Sequence, residues 1–149
     1  MSHWLYKNQP VFDLPEGVFG FVYRITSLID GRKYIGRKYV TKAAKRSVKL
    51  KNGTKKIRKT MVESDWKTYM GSCKPLLEDI SKNEKNNYKF EILSWGFTKG
   101  QVNSLEIICQ IKAGVMTDDS YYNDAVGSGM FRGVKFTDEF RKIISEIDL

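Results

Sequence analysis

The pattern of hydrophobic and polar positions predicts three β-strands, and it alternates most regularly over residues 88–95. The segments cover residues 18–25, 32–40 and 88–95, and each is rich in the β-branched and aromatic residues that favour strands. Asp30 and Gly31 separate the first two segments. An Asp-Gly pair is a strong signal for a tight turn, because glycine readily adopts the positive φ that such turns need. The first two strands are therefore expected to form an antiparallel hairpin.

Apolar residues at spacings of three and four, preceded by capping residues, predict helices around these strands. Thr98 and Gln101 have the spacing of a capping box, and Gly114 is placed to end the helix that they open. The four predicted helices, each with its capping residue, are 65–69 after Ser64, 73–82 after Ser72, 99–113 after Thr98, and a last helix after Thr137. Together these elements predict an α+β fold in a single domain, with a small three-stranded antiparallel sheet flanked by helices.

Composition divides the chain into a central domain and two flanking segments. Residues 1–17 contain Pro10, Pro15 and Gly17 and are expected to form an irregular lead-in. Residues 18–125 are expected to form the central domain. It is interrupted at about 41–63 by a basic insertion, which is either a second hairpin or a loop. Residues 126–149 are expected to form a C-terminal extension, with an irregular glycine-containing stretch before the last helix.

Positive charge is concentrated in one part of the chain. The formal net charge is +9, and thirteen of the 26 Lys and Arg residues lie between Arg32 and Lys59, a stretch without Asp or Glu. Like charges repel each other, so the stability of the fold does not explain this crowding. A polyanion would relieve the repulsion, and the phosphate backbone of nucleic acid is the most common one inside cells. The alternatives are a solvated loop without a partner and an anionic membrane surface. The segment lacks the apolar stripe that membrane binding needs.

Composition also indicates the cellular compartment in which the protein is expected. The chain is 41% hydrophobic and 29% charged, as expected for a globular protein. No apolar run approaches the roughly 18 residues that span a bilayer, and the first residues lack the basic and apolar regions of a secretory signal. Cys73 and Cys109 are far apart in predicted helices, which favours reduced thiols over a disulfide. An intracellular, cytoplasmic protein without membrane association is therefore expected.

Two tyrosines of the predicted hairpin carry the most specific signal. The first strand contains the run Phe21-Val22-Tyr23, and the second contains Tyr34-Ile35-Gly36. This pair resembles the core motif of the GIY-YIG nucleases, in which both tyrosines face one metal-dependent phosphodiesterase site. The match is incomplete, since Phe-Val-Tyr stands where the family name has Gly-Ile-Tyr. The alternative is an ordinary hairpin with β-favouring aromatic residues.

Glu106 is a lone acid among the apolar residues of the predicted 99–113 helix. Val102, Leu105 and Cys109 share its side of the helix, so a partly buried carboxylate is expected. A buried charge is costly without compensation, and a structural ion pair with Lys or Arg is one explanation. The resemblance implies another, because the family places a single Glu on a helix after the third strand, where it binds one divalent cation. An oxygen ligand with open water positions suits Mg²⁺, with Mn²⁺ as the alternative.

The resemblance extends over residues 18–123 and ends at Tyr121-Tyr122-Asn123, where the family often has an Asn near the cleft. The alternative for Asn123 is an Asx turn, which Asn readily forms in loops. A W-x-x-Y-x-G-S pattern of some phage-encoded members is similar to residues 66–72, and its expected role is packing and turn geometry.

The family's catalytic arginine has several candidates here. Arg37 directly follows Gly36, where the family often has a basic residue, and is assigned a phosphate contact. Arg46 lies at about the expected distance from the Tyr-Ile-Gly motif and is assigned the arginine role. Lys74 takes that role instead if the helix beginning near Cys73 is the equivalent one.

The resemblance predicts a small metal-dependent endonuclease, similar to phage-type homing and restriction-like enzymes, that hydrolyses phosphodiester bonds of double-stranded DNA in the cytoplasm, or in the host cytoplasm if it is phage-encoded. In the implied mechanism Glu106 holds the metal, and Tyr23 or Tyr34 accepts a proton from the attacking water. The neighbouring cations Arg24, Lys33 and Arg37 are expected to lower the pKa of the phenols.

The predicted DNA-binding residues are Lys38, Lys42, Lys45, Lys49, Lys51, Lys55, Lys56, Arg58, Lys59 and Lys74. The rival prediction is a non-catalytic basic nucleic-acid-binding protein. It explains the basic stretch equally well but gives no reason for Glu106 or for the two tyrosines.

Overall fold

The structure, a computed structural model, describes residues 1–127 and 137–149. The strands are β1 Leu5–Tyr6, β2 Gln9–Pro10, β3 Gly20–Ser27, β4 Lys33–Tyr39, β5 Thr41–Lys49, β6 Lys55–Glu63 and β7 Tyr88–Gly96. The α-helices are α1 Lys74–Asn83, α2 Lys99–Ala113 and α3 Asp138–Ser145, and a 3₁₀ turn covers Lys85–Asn87. Residues 128–136, which hold most of the predicted glycine-containing irregular stretch, lie outside the described residues. None of the helices described is both long enough and apolar enough to span a membrane.

The predicted antiparallel sheet forms with β3 at its centre, between β4 and β7. The α+β prediction is confirmed, and the sheet is larger than expected because β1 and β2 extend it beyond β7, in the order β2-β1-β7-β3-β4. Side chains alternate between its two faces. Phe21, Tyr23 and Ile25 pack on one face in a core that includes residues of α1, and Val22 packs on the other in a core that includes residues of α2 and α3.

The N-terminal segment is more ordered than the sequence indicated. Strand β1 pairs in parallel with β7, and the side chain of Trp4 is fully buried. The Trp4 indole donates a hydrogen bond of 2.5 Å to the Trp66 carbonyl, and His3 Nε2 lies 2.9 Å from the Tyr69 carbonyl. Long-range aromatic packing, which local sequence does not reveal, therefore attaches this segment to residues 66–72.

Local capping signals predicted two helices well. Thr98 Oγ1 accepts a hydrogen bond of 3.1 Å from the Gln101 amide at the start of α2, and Gly114 ends this helix in the left-handed conformation. Thr137 caps α3 in the same way. The predicted helix over 65–69 was wrong, since these residues form turns. The burial of Trp66 and the hydrogen bond to its carbonyl override the local helical preference there.

The basic insertion is a hairpin rather than a loop. Strands β5 and β6 pair antiparallel over nine residues each and form a separate two-stranded ribbon, which we call the basic ribbon. Most of its side chains are exposed. The two ends of the ribbon meet at the sheet, where the Ser64 amide donates to the Val40 carbonyl at 2.9 Å and the Ser64 hydroxyl donates to the Tyr39 carbonyl at 2.7 Å.

Candidate active site

A cleft of about 670 Å³ opens beside the edge strand β4. Chain segment 120–123 covers the first part of this edge, because the Lys33 amide donates to the Ser120 carbonyl at 2.8 Å and the Tyr122 amide donates to the Lys33 carbonyl at 2.7 Å. Five of the six residues predicted to be catalytic line the cleft: Tyr23, Tyr34, Arg37, Glu106 and Asn123. The cleft therefore collects side chains from both faces of the sheet and from α2.

The paired tyrosines are arranged around Gly36. Tyr23 lies opposite Gly36 in the β3–β4 register, and its side chain is 1% exposed. A Cβ atom on Gly36 would lie 2.5 Å from Tyr23 Oη and 2.9 Å from Tyr34 Cε1. The two phenol rings have centroids 6.2 Å apart, and Tyr69 lies 6.0 Å from Tyr23. Only glycine at position 36 leaves room for this group of phenols.

Replacing Gly36 with alanine should therefore destabilise the protein and lower any cleavage. Overpacking of a buried site typically costs about 1–3 kcal/mol, and the added methyl group would displace Tyr23. Urea unfolding measures the loss of stability. The double variant G36A/Y23F removes the hydroxyl that the methyl group meets, so part of the loss should return. Equal stability of wild type and Gly36→Ala would contradict this account of the glycine.

Burial governs the acidity of both phenols. It raises the pKa of Tyr23 well above its usual value, and the neighbouring Tyr34, Tyr69 and Glu106 act in the same direction. Burial also raises the pKa of Tyr34, although a hydrogen bond from Ser72 opposes it. The expectation that nearby cations lower these pKa values is wrong, because the cations have other partners. Arg24 bonds to Glu91 at 3.2 Å, and Arg37 bonds to Glu106.

Glu106 and Arg37 form the main ion pair of the cleft. Arg37 Nη1 lies 2.6 Å from Glu106 Oε1, and the glutamate side chain is 8% exposed. Burial raises the pKa of the Glu106 carboxyl, while the charge and hydrogen bonds of Arg37 act against that rise. Gly127 packs so closely on the carboxylate that any side chain there would collide with it. Glu106 therefore has the ion pair that the sequence suggested, and it also lines an open cleft.

The donors in the cleft fit a single-carboxylate metal site. Among the described residues, no three His, Cys, Asp or Glu side chains come together as a metal cluster. Glu106 supplies one hard oxygen ligand in a space wide enough for waters and a phosphate group. Mg²⁺ keeps several waters and is commonly bound by one or two carboxylates together with substrate phosphates. Asp124, also at the cleft, is exposed and was not singled out from the sequence.

Asn123 hydrogen-bonds to the backbone of the edge strand β4. Its Oδ1 accepts a hydrogen bond of 3.0 Å from the Ile35 amide, and its Nδ2 donates to the Ile35 carbonyl at 2.8 Å. Gln110 Nε2 donates to the same carbonyl at 3.0 Å, and Gln110 Oε1 accepts from the Gly127 amide at 2.5 Å. Gln110 was missed, although it lies one helical turn after Glu106 and shares its face. These amides hold the strand that carries Tyr34 and Gly36.

The candidate basic residues fall into two groups, those that line the cleft and those that lie elsewhere. Arg37 and Lys74 line the cleft, and Lys74 is the exposed first residue of α1. The structure does not bring Arg46 to the cleft, because it lies on the basic ribbon opposite Arg58. Lys38 bonds to Asp65 at 2.6 Å and covers the Tyr69 ring at 3.9 Å. The other predicted DNA-binding lysines and Arg58 lie on the ribbon or in its turn.

Residues 66–72 contribute to the site as well as to packing. Trp66 is buried in the core, but Tyr69 and Ser72 line the cleft together with Tyr23 and Tyr34. A Cβ atom on Gly71 would lie 3.3 Å from Tyr23 Oη. The packing and turn geometry expected for the W-x-x-Y-x-G-S pattern are present, since Tyr69 packs on Tyr23 and Gly71 has a φ of 90°.

The cleft of this α+β domain thus combines paired phenols, a helix carboxylate and basic side chains. Residues 4–126 match the family model described as "Putative endonuclease segE, GIY-YIG domain". The chain therefore belongs to the GIY-YIG nuclease family. Such domains act on DNA as hydrolases of phosphodiester bonds and generally depend on a divalent metal. Neither the curated proteins nor the solved structures contain a significant match.

Proposed function

We propose that this protein is a metal-dependent endonuclease that hydrolyses phosphodiester bonds of double-stranded DNA. The observation that carries the proposal is the cleft itself, which joins the Glu106 carboxylate, the Arg37 guanidinium and two phenols around Gly36. A structural ion pair alone gives no reason for an open cleft beside it. The rival function of a non-catalytic nucleic-acid-binding protein is favoured by the basic ribbon, but it leaves this cleft without a role.

Glu106 is the residue that would hold Mg²⁺ or Mn²⁺. The bound ion supplies Lewis-acid stabilisation of charge on phosphate and leaving-group oxygens. The Glu106 carboxyl must be ionised for this, and its raised pKa means that protonation competes at a higher pH than for an exposed glutamate. Arg37 opposes that effect, because its positive charge and its hydrogen bonds favour the ionised carboxylate.

Phosphate binding is assigned to Arg37 and to the start of α1. Arg37 lines the cleft beside Glu106, and the planar guanidinium fork suits phosphate oxygens. The first turn of α1 lines the cleft, carries no acidic residue and has no side-chain cap. Helix N-termini favour anions because their N–H groups and dipole point toward them. Lys74 adds a positive charge at the same place.

Tyr34 is the better candidate for orienting the attacking water. It is only partly buried, whereas the side chain of Tyr23 is almost fully enclosed. Both phenols are neutral near pH 7 because burial raises their pKa. We assign Tyr34 to the attacking water: its hydroxyl would hydrogen-bond to the water, and the small fraction present as phenolate would accept the proton. We assign Tyr23 to the placement of Tyr34 and Tyr69.

The same proposal places the protein in the cytoplasm, where its substrate would be intracellular DNA. Cys73 and Cys109 are both free, as expected in a reducing compartment. Burial raises the pKa of the Cys109 thiol to about 12, so this residue is unreactive and has a packing role.

A plasmid assay tests the proposed function directly. The purified protein should convert supercoiled plasmid to nicked or linear DNA with Mg²⁺ or Mn²⁺, and a chelator should abolish conversion. Single-stranded DNA of the same sequence serves as the comparison and should be cut more slowly. A folded protein that binds the plasmid but leaves it intact with both metals would establish the non-catalytic rival instead.

A further inference from the structure

The basic ribbon carries four cationic side chains on each of its two faces. Directly opposed residues of an antiparallel pair share a face, and faces alternate along each strand. The β5–β6 register therefore places four lysines on one face, which we call the lysine face, and four mixed cations on the other, the arginine face. The lysine face contains Lys45, Lys49, Lys55 and Lys59, and the arginine face contains Lys42, Arg46, Lys56 and Arg58.

Several of these cations oppose each other directly. The pairs are Lys45 with Lys59, Arg46 with Arg58, and Lys49 with Lys55. Opposed side chains have Cβ atoms about 5 Å apart, and like charges at that separation destabilise a sheet. The one acid of the ribbon, Glu63, lies at its base, where its carboxylate accepts a hydrogen bond of 2.9 Å from the Trp66 indole. The ribbon thus carries a repulsion that an external polyanion would relieve on both faces.

The distribution of charge distinguishes between partner shapes. A flat anionic surface, such as a lipid bilayer, contacts one face of a ribbon and leaves the other in solvent. A nucleic-acid groove has phosphates along both walls. A single sheet layer is about 10 Å thick with its side chains, which fits the roughly 12 Å major groove of B-form DNA but not the roughly 6 Å minor groove. Nine-residue strands extend about 30 Å, close to one turn of the duplex.

We propose that the basic ribbon enters the major groove of B-form DNA edge-on, with its lysine face against one phosphate wall and its arginine face against the other. The inference rests on the proposed function only in taking duplex DNA as the substrate. Strand β4 carries Gly36 and Arg37 at the cleft and leads through Val40 directly into the ribbon. A duplex held by the ribbon therefore lies beside the cleft.

Two matched variants test the use of both faces. K45Q/K49Q/K55Q/K59Q removes four charges from the lysine face, and K42Q/R46Q/K56Q/R58Q removes four from the arginine face. Affinity for a random 25-bp duplex is measured by fluorescence anisotropy at several salt concentrations, with chelator present so that no cleavage occurs. Both variants should bind at least tenfold more weakly and lower the slope of log K against log salt by similar amounts, up to about 3–4, since each phosphate contact contributes about 0.9.

A charge-preserving variant tests whether substitution at these positions, rather than loss of charge, weakens binding. K45R/K49R/K55R/K59R keeps the charge of the lysine face and should bind as the wild type does. Loss of affinity in only one of the two glutamine variants, with the other within twofold of wild type, would overturn the proposal in favour of one-sided contact. Unchanged affinity in both would overturn it altogether.

Methylation interference and binding to duplex RNA test whether the ribbon enters the major groove. Methylation of guanine N7, in the major groove, should interfere with binding, and methylation of adenine N3, in the minor groove, should not. Duplex RNA should bind at least tenfold more weakly, because its major groove is deep and narrow. Interference at adenine N3, or equal affinity for duplex RNA, would overturn groove insertion.

Binding and cleavage remain separable in these experiments. Dependence on both faces without cleavage would support the ribbon and contradict the nuclease. Metal-dependent cleavage with unchanged binding in both glutamine variants would support the nuclease and contradict the role of the ribbon.

Discussion

Glu106→Gln should lower the cleavage rate by about 10³-fold or more while the protein stays folded. The substitution keeps the shape of the side chain and removes the charge that would hold the metal. Metal-ion catalysis supplies several kcal/mol of transition-state stabilisation, and each 1.36 kcal/mol corresponds to a factor of ten. Stability should change little, because burial already disfavours the ionised carboxyl, as its raised pKa indicates, and this offsets the loss of the Arg37 pair. Single-turnover plasmid cleavage and thermal unfolding measure the two effects.

A second carboxylate–arginine pair provides the control. Glu91 bonds to Arg24 at 3.2 Å and lies outside the cleft. Glu91→Gln breaks a similar ion pair and should cleave within a few-fold of wild type. If Glu106→Gln remained fully active, Glu106 would be a structural partner of Arg37 and the metal assignment would fail. If it unfolded while Glu91→Gln did not, the ion pair would be essential to the fold.

Tyr34→Phe should lower the rate by about 10²–10⁴-fold and change its dependence on pH. Loss of a general acid–base group typically costs that factor. Burial raises the pKa of Tyr34 above its usual value of 10.0, so the fraction of phenolate grows about tenfold per pH unit throughout the neutral range. A wild-type rate that depends on phenolate should rise with that slope to at least pH 9, and Tyr34→Phe should remove the slope. Rate profiles between pH 6 and 9.5 measure this.

Two further substitutions sharpen this test. Tyr23→Phe should also lower the rate strongly but keep the slope, because we assign Tyr23 to the placement of its neighbours. Tyr121→Phe removes a hydroxyl from a residue outside the cleft and should have little effect. If both hairpin variants cut within twofold of wild type, the tyrosines serve only the hairpin. A wild-type plateau near pH 7.5 that Tyr34→Phe abolishes would mean that the substrate complex reverses the effect of burial on the phenol.

Short-range signals predicted most of the fold. The cap at Thr98, the stop at Gly114 and the turn at Asp30-Gly31 act within a few residues, so the sequence reveals them directly. The turns around Trp66 were not predicted, because its backbone carbonyl accepts a hydrogen bond from Trp4, more than sixty residues away. The burial of Trp4 was not predicted either, because it depends on the same distant contact. Proline and glycine nearby instead indicated an irregular segment.

The candidate site was predictable in its parts but not in its arrangement. Tyr23, Tyr34 and Glu106 were found from motif and burial pattern, and the structure brings them together. Counting along the chain favoured Arg46, but the insertion folds into a ribbon of its own and carries that residue away from the cleft. The acidity of the phenols was misjudged because proximity in sequence to cations says nothing about whether those cations already have partners, as Arg24 does.

The hydrogen bond between Ser64 and Val40 at the base of the basic ribbon makes the ribbon a modular element. Its two ends are joined across the base by hydrogen bonds, so the central domain has a short connection to close if the ribbon is shortened, lengthened or exchanged. Loop entropy grows only slowly with length, so such changes cost the fold little. If the ribbon binds DNA as proposed, changing its length or charge would alter how tightly DNA is bound without altering the residues that line the cleft.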